Sequence, residues 1–182
     1  MSDILNLNEL KTLIHKGDTG LLFCIGKSLI SQIIRAKTRL DTNEIVPSHV
    51  ALIVNGEFLY ESTSNSAKLG NKRIPAGVRR MLLTDFYKLE KLKETEYYFY
   101  PCELNTKDLE KYVHFPYGID SIVDFVLKDG SDGVSRGLIC SQYANKVAHI
   151  MDNPCPSPAV LYRYVRSSED LFDYENIQDE IN

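Results

Sequence analysis

One cysteine of this 182-residue chain stands where a thiol gains nucleophilic character. Cys140 lies in the run GLICSQYANKVAHIM, where a glycine-led turn precedes a helical pattern with Tyr143, Val147 and Ile150 on one face. This pattern places Cys140 in the first turn of the predicted helix. There, free backbone amides and the positive end of the helix dipole lower the pKa of a thiol. A buried structural cysteine is the alternative interpretation.

The other three cysteines are predicted to be unreactive. Cys24 lies in an apolar strand, and Cys102 and Cys155 adjoin prolines in predicted loops. The sequence contains no CxxC pair, no Cys and His at zinc-ligand spacing and no HExxH motif. We therefore expect no metal and no cofactor. A disulfide framework is not expected either, because the N-terminal run carries acidic residues and lacks the pattern of a secretory signal.

His49 is the histidine best placed to act as a base. It opens an otherwise apolar predicted strand, where an imidazole is out of place unless it has a partner. His15 and His114 fall at helix ends, where a favourable interaction with the helix dipole accounts for them. His149 follows Cys140 by nine residues on the same predicted helix, which separates the two by roughly 13 Å. His49 is therefore the candidate partner for Cys140.

A carboxylate accompanies His49 on a predicted hairpin. The run SHVALIVNGEFLYES contains two β-rich segments around Asn-Gly, and Glu61 ends the second segment. A three-residue loop of 54–56 would place His49 directly opposite Glu61, with Cβ atoms about 5 Å apart. A two-residue turn would instead pair Glu61 with Val50. We expect the first register, because only there does the carboxylate orient the imidazole directly across one pair. A glutamate facing water is the alternative interpretation.

The remaining patterns predict an α+β domain with an antiparallel sheet, because the turns between consecutive strands are too short for parallel crossovers. Thr84 is expected to cap the third helix, and residues 62–76 are expected to form a loop. A single domain is expected over 1–166, followed by a weakly ordered acidic tail over 167–182. The patterns predict helices at 5–15, 27–37, 84–92, 106–114, 118–128 and from Cys140. They predict a turn that enters the first strand over 16–26, and further strands at 48–54, 57–62, 77–83, 96–103 and 159–166.

Composition and charge argue against several classes of function. The longest apolar runs have five residues, far fewer than the roughly 20 that span a bilayer. The net charge is −4, but residues 167–182 hold six acidic residues and no Lys or Arg, so the body is nearly neutral and gives no case for wide nucleic-acid binding. Gly26 to Ser28 reads Gly-Lys-Ser, but a phosphate-binding loop needs a further glycine where Leu21 stands. We expect a cytoplasmic protein.

The order of these motifs resembles the circularly permuted papain-like fold of the NlpC-type superfamily, in particular the YiiX-like hydrolases related to lecithin-retinol acyltransferases. The resemblance covers about residues 17–150 and rests on GDTGLLF, SHVALIV, a return strand ending in YES, and LICSQYANKV. By position, it implies that Cys140 is the nucleophile, His49 the general base and Glu61 the residue that orients the base. Tyr117, in FPYGID, resembles a family tyrosine ahead of the cysteine helix and is a candidate for substrate or oxyanion binding.

This resemblance implies a cysteine hydrolase of the amidase or peptidase type that works through an acyl-enzyme. Amide groups at the start of the Cys140 helix would stabilise the oxyanion. Two alternatives stay open: a lipid or ester hydrolase or acyltransferase, with the apolar helix at 118–127 as one wall of its groove, and a binding module that has lost activity. The expected partner is a peptide, amide or acyl-lipid substrate. The sequence does not determine the oligomeric state.

Overall fold

A computed structural model describes residues 4–27, 29–38, 46–91, 93–118, 137–153 and 156–168 of the chain. These residues form the expected α+β arrangement, in which a five-stranded antiparallel sheet has the strand order β6-β3-β2-β1-β7. The strands are β1 (Gly20–Ile25), β2 (His49–Val54), β3 (Phe58–Thr63), β4 (Ala67–Leu69), β5 (Lys72–Ile74), β6 (Gly77–Leu82) and β7 (Glu96–Pro101). The helices are α1 (Leu7–Leu13), α2 (Leu29–Thr38), α3 (Leu83–Glu90), α4 (Thr106–Lys111), α5 (Cys140–Ala148) and α6 (158–168).

The central strands are buried on both faces. In β2, Val50 and Leu52 pack with residues of α4, α5 and α6, whereas Ala51 and Ile53 pack with residues of α1 and α3. A strand covered on both faces needs apolar side chains at consecutive positions, which explains the unbroken run VALIV. The sheet is thus the middle layer, and α5 packs on β2 and β3.

Several expected elements are confirmed, with shifted ends. The helices expected at 5–15, 27–37 and 106–114 appear as α1, α2 and α4, and the strands expected at 77–83 and 96–103 appear as β6 and β7. Helix α4 ends at Lys111, before a turn in which His114 adopts a left-handed φ of 75°. The expected helix 118–128 lies outside the described residues except for its first position, as do Cys155 and residues 169–182 of the expected tail.

The expected strand at 159–166 is wrong, because this segment belongs to α6. Ser157 caps the start of the helix: its hydroxyl accepts a hydrogen bond from the amide of Val160 at 3.2 Å. Pro158 follows at the first helical position, which favours proline. The alternation of apolar residues in AVLYRYVR suits a strand, but Leu161 and Val165 also lie one helical turn apart, and both are buried.

Two smaller expectations are also wrong. The segment 62–76 is not simply a loop, because it contains the two-stranded ribbon of β4 and β5. Thr84 does not cap α3: the capping position is Leu82, which has no side chain able to accept a hydrogen bond, and Thr84 lies inside the first turn. Strand β6 runs directly into this helix, so the boundary falls two residues earlier than the threonine suggests.

Candidate active site

Cys140 is the first residue of α5, as the sequence predicts. The amide of Ile139, just before the helix, donates a hydrogen bond to the side chain of Gln142 at 3.1 Å. The segment ahead of the helix is held on β3, because the hydroxyl of Ser62 donates to the carbonyl of Leu138 at 2.5 Å. Cys140 is 5% exposed. Helix packing and this anchor together bring the sulfur to the end of β2 at which His49 lies.

The register of the hairpin differs from the predicted one. Ala51 lies opposite Glu61, and Val54 lies opposite Phe58, so the loop is 55–57 rather than 54–56. His49 is therefore not directly opposite Glu61; the two are diagonal neighbours on the same face. A shift of two positions preserves the face on which a side chain lies, whereas a shift of one would reverse it. Diagonal neighbours remain within reach of long side chains.

Tertiary contacts explain this register. The amide of Gly56 donates to the carbonyl of Asp18 at 2.6 Å, and the amide of Gly17 donates to the carbonyl of Asn55 at 2.9 Å. Asn55 and Gly56 both adopt positive φ angles, of 56° and 62°. The loop is thus held by the segment that precedes β1, which sequence patterns within the hairpin do not include.

His49 and Glu61 are in direct contact despite the altered register. The Nε2 atom of His49 lies 2.7 Å from Oε2 of Glu61. The other carboxylate oxygen, Oε1, accepts hydrogen bonds from Nε and Nη2 of Arg79 at 2.9 and 2.6 Å. Burial alone would raise the pKa of Glu61, but hydrogen bonds and charge from His49 and Arg79 lower it to about 2. Glu61 is therefore ionised at neutral pH.

The imidazole of His49 also hydrogen-bonds to the sulfur of Cys140. Burial opposes a charge on this ring, but the sulfur of Cys140 and the carboxylate of Glu61 raise the pKa of His49 to about 10. The imidazole is thus held between a sulfur and a carboxylate and favours its protonated form.

The thiol of Cys140 has the opposite shift. Burial alone would raise its pKa, but the charge of His49 and the hydrogen bond from its ring lower it below the ordinary value. Backbone amides of Val50 and Ser141 also donate to the sulfur and lower the pKa further. The contacts between Cys140 and His49 therefore shift the pair towards the thiolate and imidazolium forms.

Burial opposes ionisation of the other described cysteines. Cys24 lies opposite His49 across the β1 and β2 ladder, but burial raises the pKa of its thiol well above the ordinary value. Burial raises the pKa of Cys102 to about 11. Among the three cysteines that the structure describes, only Cys140 has a lowered pKa.

Tyr117 lies beside this group. The segment that carries it is held on β6, because the backbone of Val78 exchanges hydrogen bonds with His114 and Phe115, each at 2.8 Å. Tyr117 then pairs with Leu138, two residues ahead of Cys140. Burial, with smaller effects from the charges of Cys140 and Glu61, raises the pKa of the Tyr117 hydroxyl. This hydroxyl therefore stays protonated and can donate a hydrogen bond.

A cleft of about 910 Å³ borders His49, Glu61 and Tyr117. Part of its wall is apolar, with Phe86 and Leu89 of α3, and the segment 63–67 supplies a polar rim. This volume lies within the range of small-molecule sites. Cys140 does not itself line this cleft; His49, which contacts the sulfur, is the residue that borders it.

Arg79 is the residue of this group that sequence reasoning missed. It lies opposite Glu61 in the β3 and β6 ladder and is only 9% exposed. The available signal was its position in GVRRMLL. Arg79 stands two positions before the apolar Met81, and side chains two apart in a strand lie on the same face, so Arg79 faces inward where Met81 does. The remaining histidines take no part. His149, for example, ends α5 and lies 3.6 Å from Asp108.

Among the described residues, no group of three or more His, Cys, Asp or Glu side chains is arranged to hold a metal ion. Within the same part of the chain, no helix has the length and apolar character needed to cross a membrane. Comparisons of the chain with protein-family models, with curated proteins and with solved structures found no match.

Proposed function

We propose that this protein is a thiol-dependent hydrolase of the amidase or peptidase type, with the permuted papain-like fold of the NlpC-type superfamily. In this proposal, Cys140 is the nucleophile, His49 the acid and base, and Glu61 the residue that orients His49. The observation that carries the proposal is one contact chain: the Cys140 sulfur, the His49 ring and the buried Glu61 carboxylate hydrogen-bond in series.

The reaction begins when the Cys140 thiolate attacks an acyl carbonyl and forms a carbon–sulfur bond. Charge develops on the carbonyl oxygen, and the Tyr117 hydroxyl and amides at the start of α5 are the donors available to stabilise it. As the carbon–nitrogen bond breaks, the His49 imidazolium gives its proton to the leaving amine. Water then attacks the thioester carbonyl, and neutral His49 accepts a proton from that water. The carbon–sulfur bond breaks, the carboxylic acid leaves, and the Cys140 thiolate and the His49 imidazolium are restored.

An ester or lipid substrate follows the same steps with an alcohol as the leaving group. The choice between amide and ester depends on the leaving group, and both use the same attack by Cys140. A binding module of this fold is the contrasting proposal. It has no chemical need for a buried carboxylate aligned with an imidazole and a thiol of lowered pKa, which supports the hydrolase over the binding module.

The direct test is the rate at which iodoacetamide alkylates each cysteine at pH 7, measured by mass spectrometry. With a pKa near 11, Cys102 has a thiolate fraction of about one in ten thousand. The pKa of Cys140 lies below 9.0, so its thiolate fraction is at least about one hundred times larger. The lower nucleophilicity of a less basic thiolate removes about tenfold of this advantage. We therefore expect Cys140 to react about ten times faster than Cys102, or more.

Two histidine variants provide the matched comparison. His49→Ala removes the imidazolium and should abolish the excess reactivity of Cys140, whereas His149→Ala, on the exposed end of α5, should leave it unchanged. Turnover of paired amide and ester substrates with the same acyl group then identifies the bond cleaved. Equal alkylation rates at Cys140 and Cys102 in the unmodified protein would contradict the proposal. Rapid alkylation without turnover of either substrate would favour the binding module.

A further inference from the structure

Arg79 forms an ion pair with Glu61 and also donates hydrogen bonds to two backbone carbonyls. Four of its hydrogen bonds involve three of the cation's nitrogens: two to Glu61, described above, and two from Nη1 to the backbone carbonyls of Asn65 and Pro75 at 3.0 and 3.2 Å. Its side chain is 10% exposed. A buried guanidinium costs free energy unless its donors are satisfied, and here nearly all of them are.

Both bonds from Arg79 to the carboxylate end on the same oxygen. Nε and Nη2 donate to Oε1 of Glu61, which leaves Oε2 to contact His49. The planar guanidinium fixes this orientation, because its donors form a rigid fork. Rotation of the carboxylate would break two charge-assisted hydrogen bonds at once. Arg79 therefore determines which Glu61 oxygen faces the imidazole, and where that oxygen lies.

The other side of Arg79 holds the wall of the cleft. Asn65 and Pro75 lie at the two ends of the segment that contains the β4 and β5 ribbon. Residues 63–67 of this segment line the cleft beside His49. The Arg79 side chain thus connects the Glu61 carboxylate to the segment 63–67 that borders the cleft.

We propose that Arg79 is a positioning residue, which aligns Glu61 with His49 and keeps the segment 63–67 in place at the cleft. This inference rests on the proposed function, since it assigns Arg79 a role in activating Cys140. Arg79 acts through Glu61 and His49 and touches neither the sulfur nor the reacting carbonyl.

The same strand offers a matched control. Arg80 lies next to Arg79 in β6 but faces the other side of the sheet, where it is half exposed and bonds to Glu110 at 3.1 Å. Replacement of each arginine by methionine removes one charge and one long side chain from the same strand. Arg79→Lys is the third variant, because it keeps the positive charge but lacks the planar pair of donors of the guanidinium.

The experiment measures the pH dependence of Cys140 alkylation by iodoacetamide on folded, monodisperse protein. Without Arg79, the carboxylate loses its fixed orientation and supports the imidazolium less well, so the thiolate of Cys140 should form at higher pH. At pH values where the thiol is mostly protonated, a shift of about one pH unit lowers the rate about tenfold. We expect this result for Arg79→Met, a smaller shift for Arg79→Lys, and the unmodified profile for Arg80→Met.

Each outcome separates the possible roles. A purely structural arginine would reduce the yield of folded protein and leave the pH profile of the folded fraction unchanged, and that result overturns the proposal. A shift of the alkylation profile to lower pH also overturns the proposal. It would mean that Arg79 only neutralises Glu61, so that its removal lets the carboxylate support the imidazolium more strongly. If Arg79→Met does not fold, the profile of Arg79→Lys decides by the same criteria. An unmodified protein whose Cys140 reacts no faster than Cys102 overturns the proposed function together with this inference.

Discussion

Glu61→Gln tests whether the buried carboxylate is held as an ion, independently of any substrate. The pKa of Glu61 is lowered from 4.5 to about 2, and this difference corresponds to about 3 kcal/mol of folding free energy. Because the pKa is lower in the folded state, the stabilisation is fully present above about pH 4.5. It is lost as the pH falls towards 2, when the folded state takes up the same proton as the unfolded state.

The expected result follows from this sign. At pH 7, Glu61→Gln should reduce the free energy of unfolding by about 3 kcal/mol, because Arg79 and His49 lose their buried counter-charge. For a protein of this size, the melting temperature should fall by about 6 to 12 °C. Between pH 4.5 and 2, the unmodified protein should lose stability more steeply than the variant, so the difference between them shrinks. Denaturant titration at several pH values measures both effects.

Glu110→Gln is the matched control. Glu110 also bonds to an arginine of β6, Arg80, and accepts a hydrogen bond from Tyr60, but its side chain is 56% exposed. Solvent screens such pairs, so its replacement should change the free energy of unfolding by less than about 1 kcal/mol. The reasoning is refuted if the two variants are equally stable at pH 7, or if the deficit of Glu61→Gln stays constant as the pH falls below 4.5.

Other predictions concern the turns that hold the site. Gly70→Ala should cost about 1 to 2 kcal/mol, because φ is 58° but the space is open. Gly56→Ala has a similar φ of 62° and would also place a Cβ 1.9 Å from the backbone oxygen of His15, so denaturant titration should show a loss larger by about 1 to 3 kcal/mol. Gly137→Ala would place a Cβ 2.5 to 2.8 Å from the backbone of 116–118 and should slow Cys140 alkylation; an unchanged rate would contradict the placement of this segment.

The sequence predicted the candidate site through local patterns. Helical periodicity placed Cys140 at the start of α5, and Asn-Gly between two β-rich runs predicted the hairpin that carries His49 and Glu61. Both signals act over a few residues, where propensity and side-chain period dominate. Side chains alternate with a period of two in a strand. The prediction that His49 and Glu61 lie on the same face was therefore correct, although the predicted register was wrong by two positions.

The sequence predicted less well those segments whose apolar pattern fits both a helix and a strand. The apolar pattern of 159–166 fits either period, and α6 forms because Ser157 and Pro158 begin a helix. Arg79 was missed because a charged residue in a short strand resembles an exposed position until its cross-strand partner is known. Its partner, Glu61, becomes visible only in the pairing of β3 with β6.

The amino-acid order alone thus determined most of the elements and the shared face of His49 and Glu61, since these depend on neighbours within a few positions. Only the tertiary structure decided the diagonal contact of His49 with Glu61, the contacts of Arg79 with Glu61 and the approach of Cys140 to His49. These contacts join distant parts of the chain. They depend on how the loop at 55–57 is held by residues before β1 and on how α5 packs against β2 and β3, and no local pattern encodes either.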